Sequence, residues 1–174
     1  MVQTRPDGRV ARRVGTREAI MDAATELFAA RGVTSTSIDD IAASAGIAKG
    51  SIYYNFESKA GLVEAIMARN SELLADALRE ATSGRTGVAL REQVVRVLLG
   101  LVQEHAAAAR VMVTELFRTE RSWRESIEQW RGLALSPLIE DLEAGGAEPV
   151  VAGVQAAAIV GATLMAGLEW LVFH

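Results

Sequence analysis

The residues best equipped for chemistry gather between Thr34 and Leu62. Lys49, Ser51, Tyr53, Tyr54 and Asn55 stand there among small and apolar neighbours. An ammonium, hydroxyls and an amide on one short helix can donate to guanine O6 and N7 or to phosphate oxygens. Gly50, with no side chain, lets the backbone approach a partner closely. Lys59 opens the next helix, beside amides suited to phosphate. Consecutive helix residues point about 100° apart, so Tyr53 and Tyr54 cannot both face inward, and one of them is expected to be partly buried. Chemistry elsewhere is sparse. The chain has no cysteine and two histidines, His105 and His174. It has no glycine-rich phosphate loop either. No nucleophile-base set or metal constellation can be assembled, so the expectation is a protein that is not an enzyme and needs no cofactor or metal.

The elements that must hold these residues read as all-α. Alanine, glycine, valine and leucine are abundant and there are three prolines. Thr16 is a good N-cap, and Ile20, Ala23, Ala24, Leu27 and Phe28 form one apolar stripe ended by Arg31-Gly32. Thr36 or Ser37 caps a second helix whose inner face is Ile38, Ile41, Ala42 and Ala45. Gly46 suits the turn after it. A third helix runs from about Ala48 to Asn55, with Ile47, Ile52 and Phe56 inward. Two helices joined at Gly46 form a helix-turn-helix, in which the first braces the second in the DNA major groove. Ser58 caps a fourth helix carrying Leu62, Ile66, Leu73 and Leu74 to about Ala81. Helices are then expected over 88–105, 108–119, 122–144 (with Pro137 inside) and 150–173. His105 marks a bend and Gly145-Gly146 a break.

Net charge is −4 over 174 residues, yet it is unevenly placed. Residues 1–60 hold eight Lys or Arg against seven Asp or Glu; residues 61–174 hold ten against fifteen. Arg5, Arg9, Arg12, Arg13 and Arg17 face only Asp7 in the first seventeen residues. A disordered basic arm over 1–15 fits a solvated leader or added phosphate contacts. The domains expected are therefore 1–15 as arm, 16–60 as the helix-turn-helix unit and 61–174 as a helical body. The first residues carry no secretory signal, which gives a cytoplasmic expectation. The last helix reaches the length of a membrane span. Its small residues, Gly153, Ala157 and Gly161 with Ala158, Ala162 and Ala166, suit close helix–helix approach instead. A buried or dimer-interface helix, with no membrane partner, is the expectation.

Residues 16–66 closely resemble the N-terminal domain of the TetR family of bacterial transcriptional regulators. The resemblance rests on Ala23, Leu27, Phe28 and Gly32, on Thr36, Ile38, Ile41 and Ala42, on the turn Ala45-Gly46-Ile47, and on Gly50, Ile52, Tyr53, Phe56, Ser58, Lys59 and Leu62. Asn55 stands where the family often has histidine. The resemblance implies a DNA-binding regulator that pairs as a homodimer through its C-terminal helices and is released from double-stranded DNA by a small-molecule effector. Repression is the family's commoner mode; an activator, or a helical module acting through protein partners, is the alternative. It implies DNA contacts from Thr36, Ser37, Lys49, Gly50, Ser51, Tyr53, Tyr54, Asn55 and Lys59. Thr36, Tyr53 and Lys59 would meet phosphates, with Lys49 and Ser51 near bases. Family members usually pair through two final helices, whereas one is visible here. Candidates for an effector pocket are His105, Met112, Phe117, Trp123, Trp130, Met165 and Trp170, with Glu104, Glu115 and Thr163 as polar groups.

Overall fold

The structure, a computed structural model, describes residues 8–116 and 124–173, with side chains omitted for 8–14 and 116. Eight helices run in order: α1 Gly8–Arg31, α2 Ile38–Ala45, α3 Lys49–Asn55, α4 Lys59–Thr82, α5 Gly87–Glu104, α6 Ala106–Leu116, α7 Arg124–Ala144 and α8 Pro149–Phe173. The described residues are all-α, as their composition requires, and divide into two compact units, residues 1–66 and 67–174. α4 contributes its first turns to one unit and the rest to the other.

Helix α1 begins about two turns before the Thr16 cap. Arginine and alanine are strong helix formers, and Gly15 alone costs only about 1 kcal/mol, too little to stop propagation. Residues 8–15 are therefore helical, and the expectation of disorder for 1–7 lies outside the described residues. In the first unit Ile20, Ala24 and Phe28 of α1 are buried, as are Ile41 and Ala42 of α2, Ile52 and Phe56 about α3, and Leu62, Val63 and Ile66 of α4. In the second unit Leu74, Leu90, Val94, Leu98, Val102, Ala134, Leu138, Ala152, Ala156 and Val160 share one apolar core, with α8 packed on both α5 and α7. Leu73 was expected inside but is 41% exposed. α7 passes through Pro137 as one helix, and His105 separates α5 from α6.

The turn between α2 and α3 is where backbone conformation decides. Ser37 and Asp40 form a reciprocal capping box at the start of α2. Ser37 Oγ donates to Asp40 Oδ2 at 2.6 Å, and the Asp40 N–H donates back to Ser37 Oγ at 3.1 Å. The Ser37 hydroxyl and then its backbone N–H hold the Asp40 carboxyl below its ordinary value. The cap is thus complete above pH 3.8 and is lost as pH falls through the lowered value. At the other end Gly46 has φ of +66°, and the Ile47 N–H reaches back to Ala42 O at 3.0 Å. A Cβ at Gly46 would meet no atom within 4 Å, so any penalty is purely conformational. Gly46→Ala should therefore lower stability by about 1–2 kcal/mol, read from the urea midpoint. An unchanged midpoint would show that the left-handed conformation is not needed.

Candidate nucleic-acid interface and ligand cavity

Helix α3 has two faces. Ile52 is fully buried at its centre, and Phe56 closes the core just beyond its end. On the outer side Lys49 and Gly50 are exposed, Ser51 is half-exposed, and Tyr53 and Tyr54 are 51% and 73% exposed. Neither tyrosine faces the core; Tyr53 has about half its surface covered and Tyr54 much less. Ile52 alone fills the inward position of this short helix, and its successors at 53 and 54 rotate outward. The surface therefore presents an ammonium, a bare backbone stretch, a hydroxyl and two phenols.

Three of the residues singled out for DNA are engaged inward. Thr36 is 1% exposed, and its hydroxyl donates to Gly32 O at 2.9 Å. The Lys59 ammonium donates to Val33 O, Thr36 O and Thr34 O at 2.9, 3.0 and 3.4 Å. These bonds tie the loop between α1 and α2 to the start of α4. The Asn55 amide nitrogen donates to Ser51 O at 2.8 Å, turning that side chain back on its own helix. All three bonds have the same reason. A polar group near an unpaired backbone carbonyl satisfies it before it satisfies a distant ligand. Ser37 is exposed, but its hydroxyl is held in the capping box.

Lys49 carries the charge of the outer face. Its ammonium pairs with the Asp39 carboxylate at 2.9 Å, both side chains at least half exposed. The hydrogen bond it donates to Asp39, then the Asp39 charge, raises the Lys49 pKa above 10.5, so the ammonium is protonated at neutral pH. An exposed pair of this kind contributes little to stability and yields readily to a stronger anion.

Arg17 was counted with the N-terminal positive charge, and the fold gives it a role inside the first unit. Its guanidinium donates to Asn55 O at 2.9 Å and lies 4.2 Å from the Phe56 ring centroid. A cation on the last carbonyl of α3 complements the negative helix end and fixes where the helix stops. No local pattern signals this pairing across 38 residues. The only clue was an arginine placed one turn before the apolar stripe.

The second unit holds a cavity of about 60 Å³. Of the candidate pocket residues, His105, Met112 and Trp130 line it, together with Leu98, Val102 and Leu164. Phe117 and Trp123 lie outside the described residues. Met165 and Trp170 do not line it. They are 62% and 44% exposed, because α8 turns positions 160, 163, 164 and 167 inward and 165 and 170 outward. Glu104, Glu115 and Thr163 are likewise absent from the described lining. Glu104 is exposed, Glu115 is 1% exposed, and the Thr163 hydroxyl donates to Ile159 O at 2.7 Å. The polar member that sequence reasoning missed is Asn70 of α4.

Residues 20–66 match the family model described as bacterial regulatory proteins, tetR family. The chain is 45% identical over 53 residues to the HTH-type transcriptional repressor KstR2 of Rhodococcus jostii, which covers 30% of this chain and 26% of that protein. It is 35% identical over 92 residues to the HTH-type transcriptional regulator AcrR of Shigella flexneri, covering 51% and 43%. Each match thus spans less than half of the relative's length. In three dimensions the chain is similar to the transcriptional regulator FadR of Bacillus subtilis, solved in complex with stearoyl-CoA. That likeness has a TM-score of 0.75 at 22% identity, covers 89% of this chain and 87% of that one, and shows a shared fold.

Proposed function

We propose that this chain, a TetR-family regulator by its helix-turn-helix domain, is a repressor that binds a near-palindromic operator as a homodimer and is released by a small molecule. The outer face of α3 carries the reading. Lys49, Gly50, Ser51, Tyr53 and Tyr54 stand outward on a helix braced from behind by Ile41, Ile52 and Phe56. A Cβ at Gly50 would meet no atom within 4 Å. The fold does not itself demand glycine there; a groove wall pressed against the backbone does. A relative named as a repressor supports that mode, and a ligand-bound neighbour supports a cavity that accepts an effector.

Pairing is supported by α8. Its outward stripe runs Val150, Val151, Val154, Ala157, Ala158, Gly161, Ala162, Met165, Ala166, Trp170, Val172 and Phe173, with Gln155 and Glu169 as the polar residues among the exposed positions. An apolar strip of this length on a soluble surface marks an interface. α8 is also long and apolar enough to cross a membrane by length and composition. Crossing would pull Ala152, Ala156, Val160 and Leu164 out of the core they share with α5 and α7, so a second copy is the better occupant. The regulator then acts in the cytoplasm, where its DNA is.

The test is a gel-shift titration against duplexes selected by the protein from a random pool. Binding should fall steeply with salt as phosphate counterions are released. Lys49→Ala should weaken binding to the selected duplex by about 5–100-fold and binding to random duplex far less. Equal affinity for selected and random DNA, with no salt slope, would sink the proposal.

A further inference from the structure

Among the described residues, the wall of the 60 Å³ cavity is apolar apart from Asn70 and His105, and Asn70 Nδ2 is buried with no hydrogen-bond acceptor. A buried donor left unpaired destabilises the fold unless something else supplies the acceptor. Asn70 also sits on the inner stripe of α4, between the fully buried Ile66 and Leu74. A leucine there would extend the core, so the asparagine needs a reason outside packing. None of the described lining residues is lysine or arginine, so a carboxylate in the cavity would be desolvated with no permanent cation among those residues and only the His105 imidazole, on an exposed residue, as a basic group. Apolar neighbours such as Leu98, Val102, Met112 and Trp130 suit a hydrocarbon or ring body.

We propose that the cavity takes a neutral, apolar small molecule whose carbonyl oxygen accepts a hydrogen bond from Asn70 Nδ2. The inference rests on the cavity being the effector site. The small volume means that larger effectors must spread the helices around it. That is how occupancy alters the unit's shape.

Two measurements on the full chain test it. Without ligand, Asn70→Leu removes an unpaired donor, so Tm should rise by about 2–4 °C. A fall of similar size would show that Asn70 has a structural role and overturn the proposal. With ligand, isothermal calorimetry compares acetophenone, ethylbenzene and benzoate, which share one ring but differ in the polar group. Acetophenone should bind about 5–10-fold tighter than ethylbenzene, and benzoate weakest. Asn70→Leu should erase the preference for acetophenone while leaving ethylbenzene binding intact. Binding of the probes with no such preference, or a preference that survives Asn70→Leu, overturns the carbonyl anchor but leaves the cavity as a ligand site. No binding by any of the three overturns both.

Discussion

Replacing Arg91 with methionine is expected to cost about 3–5 kcal/mol of stability, more than replacing its partner Asp141 with asparagine. Asp141 projects from α7 with its side chain 5% exposed, whereas Arg91 on α5 is 35% exposed. The carboxylate accepts from the Gly87 N–H at the start of α5, from Arg91 Nε at 3.0 Å and from an Arg91 terminal nitrogen at 2.9 Å. It therefore caps one helix and ties it to another. Removing Arg91 leaves a buried carboxylate with no counter-charge, the situation that costs most. The partial exposure of Arg91 lets water reach the carboxylate in the variant and places the expected loss toward the lower end. Asp141→Asn keeps an oxygen for the Gly87 N–H and leaves a guanidinium that is already one-third hydrated. Its cost should be about 1–2 kcal/mol. Urea denaturation followed by circular dichroism separates the two. Equal losses, or a larger loss for Asp141→Asn, would mean that the pair acts through its surface charge and not through the buried carboxylate.

The Asp141–Arg91 tie shows where a sequence stops being readable. The described parts of helices α2 to α8 could be placed within a few residues because their caps and stripes are local; the expected end of the helix over 108–119 and start of that over 122–144 lie outside the described residues. Ser37 and Asp40 lie three residues apart, Gly46 follows directly on Ala45, and Val94, Leu98 and Val102 recur at helical spacing. Asp141 and Arg91 lie 50 residues apart and Arg17 and Asn55 lie 38 apart, and nothing local joins them. The same limit governs the interface. The outward set on α3 was legible because one apolar residue, Ile52, dictates the helix's rotation. The inward bonds of Thr36 and Lys59 were not legible, because a threonine hydroxyl and a lysine ammonium serve carbonyls and phosphates equally well. Only the folded loop between α1 and α2 brings the carbonyls within reach. Asn70 was visible in principle, as a polar residue on a stripe of Leu62, Ile66 and Leu74. A search for aromatic and methionine side chains passed over it. Met165 and Trp170 were misplaced for the converse reason. α8 is apolar on all sides, so hydrophobicity alone could not say which side faces its own core.

That ambiguity in α8 leads to the second large effect. Ala162→Arg should convert the proposed dimer to monomer and weaken binding to a two-half-site operator by about 100-fold or more. Ala162 is exposed in the single chain, midway along the outward stripe and flanked by Gly161 and Met165. An arginine there meets solvent in the monomer, so the chain should keep its helical content and its urea midpoint extrapolated to low protein concentration. Across a helix–helix interface built on alanine and glycine, the same arginine has neither room nor counter-charge. Losing the partner removes the second recognition helix. The operator is then held through one half-site, without the effective concentration that makes the second engagement nearly free. Sedimentation velocity reads the first consequence and gel shift the second, with Ala68→Arg at an exposed position of α4 as a charge-matched control. A variant that stays dimeric would remove α8 from the interface. A monomeric variant with undiminished operator affinity would mean that one copy suffices, and the palindrome with it would fall. The two measurements together decide whether the apolar side of α8 exists to be covered by its own duplicate.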